Sequence, residues 1–200
     1  AKNHALVLRD APLERVAQGV ANSTVGCAGQ RCMALPVVVV EEEVADEFIA
    51  HLVKYVSMRK IGCAYDPGTE LGPVVSSEHR QFVHNWIAKG VKEGAELILD
   101  GRDVVVPGFE NGFFVGPTIF DHVTPEMSVG DEEIFGPVTC IKRVKNFEEG
   151  VALIHRNRFG NGTCIFTQNG SYAREFLFKA HSGNVGINVG IPIPYTYFNF

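Results

Sequence analysis

Leu35 followed by Val37, Val38, Val39 and Val40 is an apolar run with no polar residue at alternate positions. A strand with one wet face alternates; one without alternation has to be covered on both faces, as inside a parallel sheet. Upstream, apolar residues recur at Leu13, Val16, Ala17, Val20, Ala21, Thr24 and Val25, the three-and-four spacing of a one-sided helix, with Asp10 placed to cap it and Pro12 suited to its first turn. Gly29-Gln30-Arg31-Cys32 lies where this helix gives way to the buried strand. A thiol at such a junction is expected to point out of the scaffold, toward the space beyond the strand ends.

The rest of the chain repeats the alternation. Val44, Phe48, Ile49, Leu52, Val53 and Val56 line one helix face, and Phe82, Val83, Trp86, Ile87 and Val91 line another, capped by Ser76 or Ser77. Strands are expected at residues 35–40, 97–99, 118–120, 138–144, 163–167 and 184–189, with further helices near 147–156 and 172–181. Residues 101–116, rich in glycine, valine and aromatics, read as a loop or irregular hairpin. Without repeats, low-complexity tracts or a long linker, the chain reads as one α/β domain with three αβα layers and a largely parallel sheet.

Composition narrows the function classes. Hydrophobic residues at 46% and charged residues at 20% suit a packed core, and a net charge of −5 offers no basic face for nucleic acid. The longest apolar run is far shorter than a bilayer span, and no signal-peptide pattern opens the sequence. The cysteines are Cys27, Cys32, Cys63, Cys140 and Cys164, an odd number without a Cys-x-x-Cys pair. That count points to a reducing compartment, cytoplasm or mitochondrial matrix, and away from structural zinc. Cys27 is expected to pack, with a disulfide to Cys32 as the alternative; Cys63, Cys140 and Cys164 read as strand or loop filler. The seven histidines show no paired metal spacing, and no local cysteine-hydrolase signature surrounds Cys32.

Two segments could carry chemistry. Cys32 taken alone reads as a small core residue; its context favours a nucleophile, since Gly29 permits close backbone approach and Arg31 adds positive charge that favours the thiolate. Arg31 has two open readings: a fork for a substrate carboxylate, or a local ion-pair partner that lowers the thiol pKa. Residues 131–137 alone would be a solvated acidic turn before a strand.

Gly29-Gln30-Arg31-Cys32, followed along the chain by Glu132-Glu133-Ile134-Phe135-Gly136-Pro137-Val138, resembles the two signatures of the aldehyde dehydrogenase superfamily. The extended run from Ala28 through Met33-Ala34, with Ala1-Lys2-Asn3-His4-Ala5, is similar to its CoA-acylating branch, which acts on malonate or methylmalonate semialdehyde. So are Gly72-Pro73, Val115-Gly116-Pro117-Thr118, Gly160-Asn161-Gly162-Thr163, Ile165-Phe166-Thr167 and Gly186-Ile187-Asn188. The resemblance implies that Cys32 is the nucleophile and that Glu133 and Phe135 bind the nicotinamide end of NAD; a semialdehyde substrate would give Arg31 a carboxylate to pair with, beside its local reading. A carboxylate suits a ribose because it accepts two hydrogen bonds from a vicinal diol. Coenzyme A is the implied acyl acceptor, with release of a free acid, as in water-using members, the alternative. Such enzymes are homo-oligomers with a separate cofactor domain, and no Gly-x-Gly-x-x-Gly follows a strand here. Residues 1–200 are therefore expected to be an excised or truncated catalytic domain, inactive alone, ending at Tyr197-Phe198-Asn199-Phe200 without a natural terminus signal.

Overall fold

The computed structural model describes residues 1–190; the closing Tyr197-Phe198-Asn199-Phe200 lies outside them. In chain order the elements are β1 (His4–Val7), α1 (Leu13–Val25), β2 (Val37–Glu41), α2 (Glu42–Ser57), α3 (Ser77–Glu93), β3 (Glu96–Leu99), β4 (Thr118–Asp121), β5 (Val138–Val144), α4 (Phe147–His155), β6 (Gly162–Phe166), α5 (Gly170–Lys179) and β7 (Asn184–Ile187). The strands form one sheet in the order β3-β4-β5-β2-β1-β6-β7, antiparallel only where β3 meets β4. This is the expected three-layer α/β arrangement.

The valine run behaves as its lack of alternation predicts. Val38 and Val40 join the apolar layer under α1 and α2, whereas Val37 and Val39 join the opposite layer beneath α3, α4 and α5. All four are fully buried, each contributing about 1.5–3 kcal/mol of transfer free energy. Strand β1, absent from the sequence expectations, threads between β2 and β6. Its four residues offer neither a long run nor an alternation.

Local expectations fare unevenly. Ser76 caps α3 by accepting a hydrogen bond from His79 N. Asp10 does not cap α1, which starts only at Leu13 after Pro12. Its carboxylate instead accepts from Thr167 Oγ1 at 2.8 Å and Gln168 N at 2.9 Å, tying the end of β6 to the start of α1. On α3, Val83 and Ile87 are buried, but Phe82 and Val91 are exposed. Residues 101–116 form an irregular loop closed where Gly116 N donates to Gly101 O at 2.8 Å. No helix of the described residues is long and apolar enough to cross a membrane.

Candidate active site

Ligands of open α/β sheets ordinarily sit beyond the carboxyl ends of the strands. Here the chemistry-bearing segments meet at the amino ends. Cys32 lies just before β2, Glu133 and Phe135 just before β5, Asn3 just before β1 and Asn161 just before β6, and these four strands are neighbours in the sheet.

The approach to Cys32 is a left-handed turn. Cys27, Ala28 and Gly29 have φ of 53°, 54° and 69°, and Gln30 N donates to Cys27 O at 3.0 Å to close it. L-residues avoid this region at a cost of about 1–2 kcal/mol each. Such strain persists where surrounding contacts over-determine the backbone, often at functional sites. The contact responsible is between the two signatures. A Cβ on Gly29 would lie 2.1 Å from Gly136 O and 2.9 Å from Pro137 N, so backbone rests directly on backbone. Across that contact Phe135 is also left-handed, at φ 55°, with its carbonyl accepting from His79 Nε2 at 2.7 Å. Among the described residues, three of the five non-glycine positions with positive φ thus flank one point of contact.

Both segments are tied in from behind. Gln30 Oε1 accepts from Val75 N at 3.0 Å. Cys32 O accepts from Asn3 Nδ2 at 2.9 Å and Asn161 Nδ2 at 2.8 Å. The acidic loop is anchored at Val129, whose carbonyl accepts from the wholly buried Lys2 Nζ at 2.9 Å and from Cys140 Sγ at 3.4 Å. Burial pushes the Lys2 pKa down and the Cys140 thiol up. Lys142 Nζ pairs with Asp131 Oδ1 at 2.9 Å, holding the loop one step nearer Glu133.

Cys32 is exposed, as are Glu133 and Phe135, and a shallow cavity between the signatures is lined by Gly29, Arg31, Ala34, Ile134, Phe135 and Gly136. Arg31 is placed with the thiol segment, but its guanidinium turns back. Nη2 donates to Asn22 O at 2.6 Å and Ser23 O at 3.1 Å, two carbonyls of the last turn of α1. Cations are favoured at that helix end. The expectation that Cys27 packs fails: the left-handed turn carries it to the surface, and it is a free thiol. Cys140 and Cys164 are buried in β5 and β6 as expected, and Cys63 is half-buried. The histidine beside the site, His79, is engaged with the Phe135 carbonyl rather than with Cys32.

Asn3, Asn161, Lys2 and Gln30 also build the site; each lies in a motif that resembles the family, but the sequence assigned none of them a role. An asparagine isolated between glycines, as in Gly160-Asn161-Gly162, and a lysine opening a buried strand were the available signals. A separate grouping, Glu96, Asp121 and His122, gathers at the β3–β4 edge, where Asp121 is taken up by Arg143 at 2.6 Å.

An exposed thiol, carboxylate and aromatic ring on two loops held in backbone contact suit a reaction in which a covalently held substrate meets a bound cofactor. Comparison with known proteins gives the same direction. The chain is 48% identical over 200 residues to malonate-semialdehyde dehydrogenase 2 of Oceanobacillus iheyensis, covering all of this chain and 41% of that protein. Among solved structures it superposes on a methylmalonate-semialdehyde dehydrogenase of Oceanimonas doudoroffii with a TM-score of 0.97 at 41% identity. It also superposes on a Sinorhizobium meliloti protein, described as a candidate methylmalonate-semialdehyde dehydrogenase and complexed with NAD, with a TM-score of 0.98 at 42% identity. In both cases all of this chain and 41% of the other are covered, so the chain spans about two fifths of the proteins it matches. The aldehyde dehydrogenase family pattern matches residues 1–200 throughout. The chain belongs to the aldehyde dehydrogenase family.

Proposed function

We propose that these residues form the catalytic domain of an NAD-dependent, CoA-acylating dehydrogenase acting on malonate or methylmalonate semialdehyde. The observation that supports the reading is the backbone contact of Gly29 with Gly136, which sets the Cys32 segment beside the Glu133–Phe135 segment. The chemistry of the donor set fits NAD: Glu133 would accept from the nicotinamide-ribose diol and Phe135 would pack beside the nicotinamide. When bound, NAD supplies the hydride acceptor. The rest of the cofactor is held, in this proposal, by a domain outside these residues.

The Cys32 thiolate adds to the aldehyde carbon, forming a C–S bond and moving the carbonyl electron pair onto oxygen. Re-formation of the carbonyl expels hydride and leaves an acyl thioester on Cys32. The β-carboxylate departs as carbon dioxide, leaving its electron pair on the α-carbon, which takes a proton from solvent; the CoA thiolate then displaces Cys32, releasing acetyl-CoA or propanoyl-CoA and restoring the Cys32 thiolate. Arg31, with Nη2 held by the α1 carbonyls, would meet a substrate carboxylate through Nη1 alone, as a fixed positive charge rather than a fork.

The same proposal places the enzyme in the cytoplasm or mitochondrial matrix, as a homo-oligomer. Exposed Val105, Phe109 and Phe113, in the loop that joins β3 to β4, support association. The test is the intact enzyme given malonate semialdehyde and NAD, with and without CoA. Acyl-CoA formation supports the acylating reading, and a free acid supports a hydrolytic one. Cys32→Ala should abolish NADH formation; unchanged turnover would remove the nucleophile assignment.

A further inference from the structure

The carbonyl of Cys32 is the most heavily used acceptor of the thiol segment. Asn3 Nδ2 reaches it at 2.9 Å while also donating to Ala34 O at 2.8 Å. Asn161 Nδ2 reaches it at 2.8 Å and lies 3.1 Å from Met33 Sδ. The two side chains come from the amino ends of β1 and β6, adjacent strands locked in parallel register from His4 opposite Thr163. Met33 completes the arrangement, since a Cβ on Gly162 would lie 2.7 Å from its Cε. Asn3 is buried and Asn161 half-buried. Both amides converge on the Cys32–Met33 peptide, one of the two peptide groups that fix how the Cys32 Cα presents its side chain.

We infer that Asn3 and Asn161 are positioning residues that clamp the Cys32 carbonyl and thereby aim the thiol into the cleft. This inference rests on the nucleophile reading above. With two donors on one carbonyl, the peptide cannot rotate without breaking the hydrogen bond from the buried Asn3 amide, which is costly. Asn161 is the more informative member, because its backbone sits between glycines and its amide nitrogen reaches only the Cys32 carbonyl, Met33 Sδ and, at 3.5 Å, Asn3 Oδ1. Misplacing a reacting group by about 1 Å costs up to a hundredfold in rate, so losing one of two restraints should be felt in the chemical step and not in substrate capture.

The experiment uses the intact enzyme carrying Asn161→Leu, which keeps the volume and removes the donor, and Asn161→Gln, which restores a donor on a longer stem. Expected for Asn161→Leu are a roughly tenfold lower kcat with KM for NAD unchanged, and a parallel fall in the rate of iodoacetamide labelling at Cys32. The thermal midpoint should stay within a few degrees, and Asn161→Gln should recover part of both rates. If Asn161→Leu does not fold, Asn161→Ala, which also lacks a donor, takes its place with the same readouts. Wild-type kcat and labelling rate in a folded donor-less variant overturn the clamp. Failure of the underlying reading looks different: labelling of Cys32 in the unaltered enzyme would leave turnover intact, while the labelling-rate comparison at position 161 would still report on the clamp.

Discussion

Replacing Gly29 with alanine tests whether the contact between the two signature loops organises the site. The added Cβ would stand 2.1 Å from Gly136 O and 2.4 Å from Gly136 C, at a φ of 69°. The left-handed backbone costs about 1–2 kcal/mol for an L-residue, and forcing a methyl into closed packing costs about 1–3 kcal/mol more. The sum, about 2–5 kcal/mol, corresponds to a fall in thermal midpoint of roughly 5–20 °C for a domain of this size. Gly68 provides the reference: its φ is 90°, and a Cβ there would meet nothing within 4 Å. Gly68→Ala therefore pays the conformational part alone. Gly29→Ala should melt several degrees below Gly68→Ala and should also change the iodoacetamide labelling rate of Cys32, which Gly68→Ala leaves alone. Coincident melting curves for the two variants would refute the claim that steric contact with Gly136 holds the loops together.

Arg31→Lys in the intact enzyme should slow carboxylate-bearing semialdehydes more than plain aldehydes, because the lysine ammonium cannot hold the helix carbonyls and face a carboxylate at once; matched kcat/KM losses for both substrate types would reduce Arg31 to the helix anchor. His4 gives a pH prediction. It is buried with Nδ1 against Lys2 O at 2.8 Å, and burial lowers its pKa from 6.5 to about 3. The folded state thus refuses a proton that the unfolded chain accepts, so stability is lost as pH falls from 6.5 toward 3, at up to about 1.4 kcal/mol per pH unit. Urea titrations of His4→Gln and the unaltered protein between pH 7 and pH 4 should diverge in that window; parallel curves would show that His4 does not drive the acid sensitivity.

Much of the fold was legible because its periodicities are strong. Val37 to Val40 announced a doubly covered strand, and the α1 and α2 faces followed the three-and-four rule down to Val20 and Leu52. Strand β1 was not legible, since its only distinguishing property, pairing on both sides, is non-local. Phe82 and Val91 misled because an apolar stripe wider than the sheet contact leaves its rim in solvent. At the site, Cys32, Glu133 and Phe135 stood out through the resemblance of their motifs, and Gly29 through its freedom to permit close approach. Asn3, Asn161 and Lys2 also lie in motifs that resemble the family, but nothing in those motifs assigned them a task. Their work is done on backbone carbonyls far away in sequence, and a carbonyl leaves no mark on residue identity.

Pro36 and Pro137 sit where the two loops become strands, and their carbonyls already belong to the sheet: Cys140 N donates to Pro36 O at 2.8 Å and Thr118 N to Pro137 O at 2.8 Å. Slack therefore has nowhere to gather between the reacting groups and the β-scaffold. A breathing motion wide enough to part the thiol from the acidic loop would have to unzip the first rungs of the central ladder, so amide exchange at Cys140 and Thr118 serves as a gauge of how often the cleft comes apart.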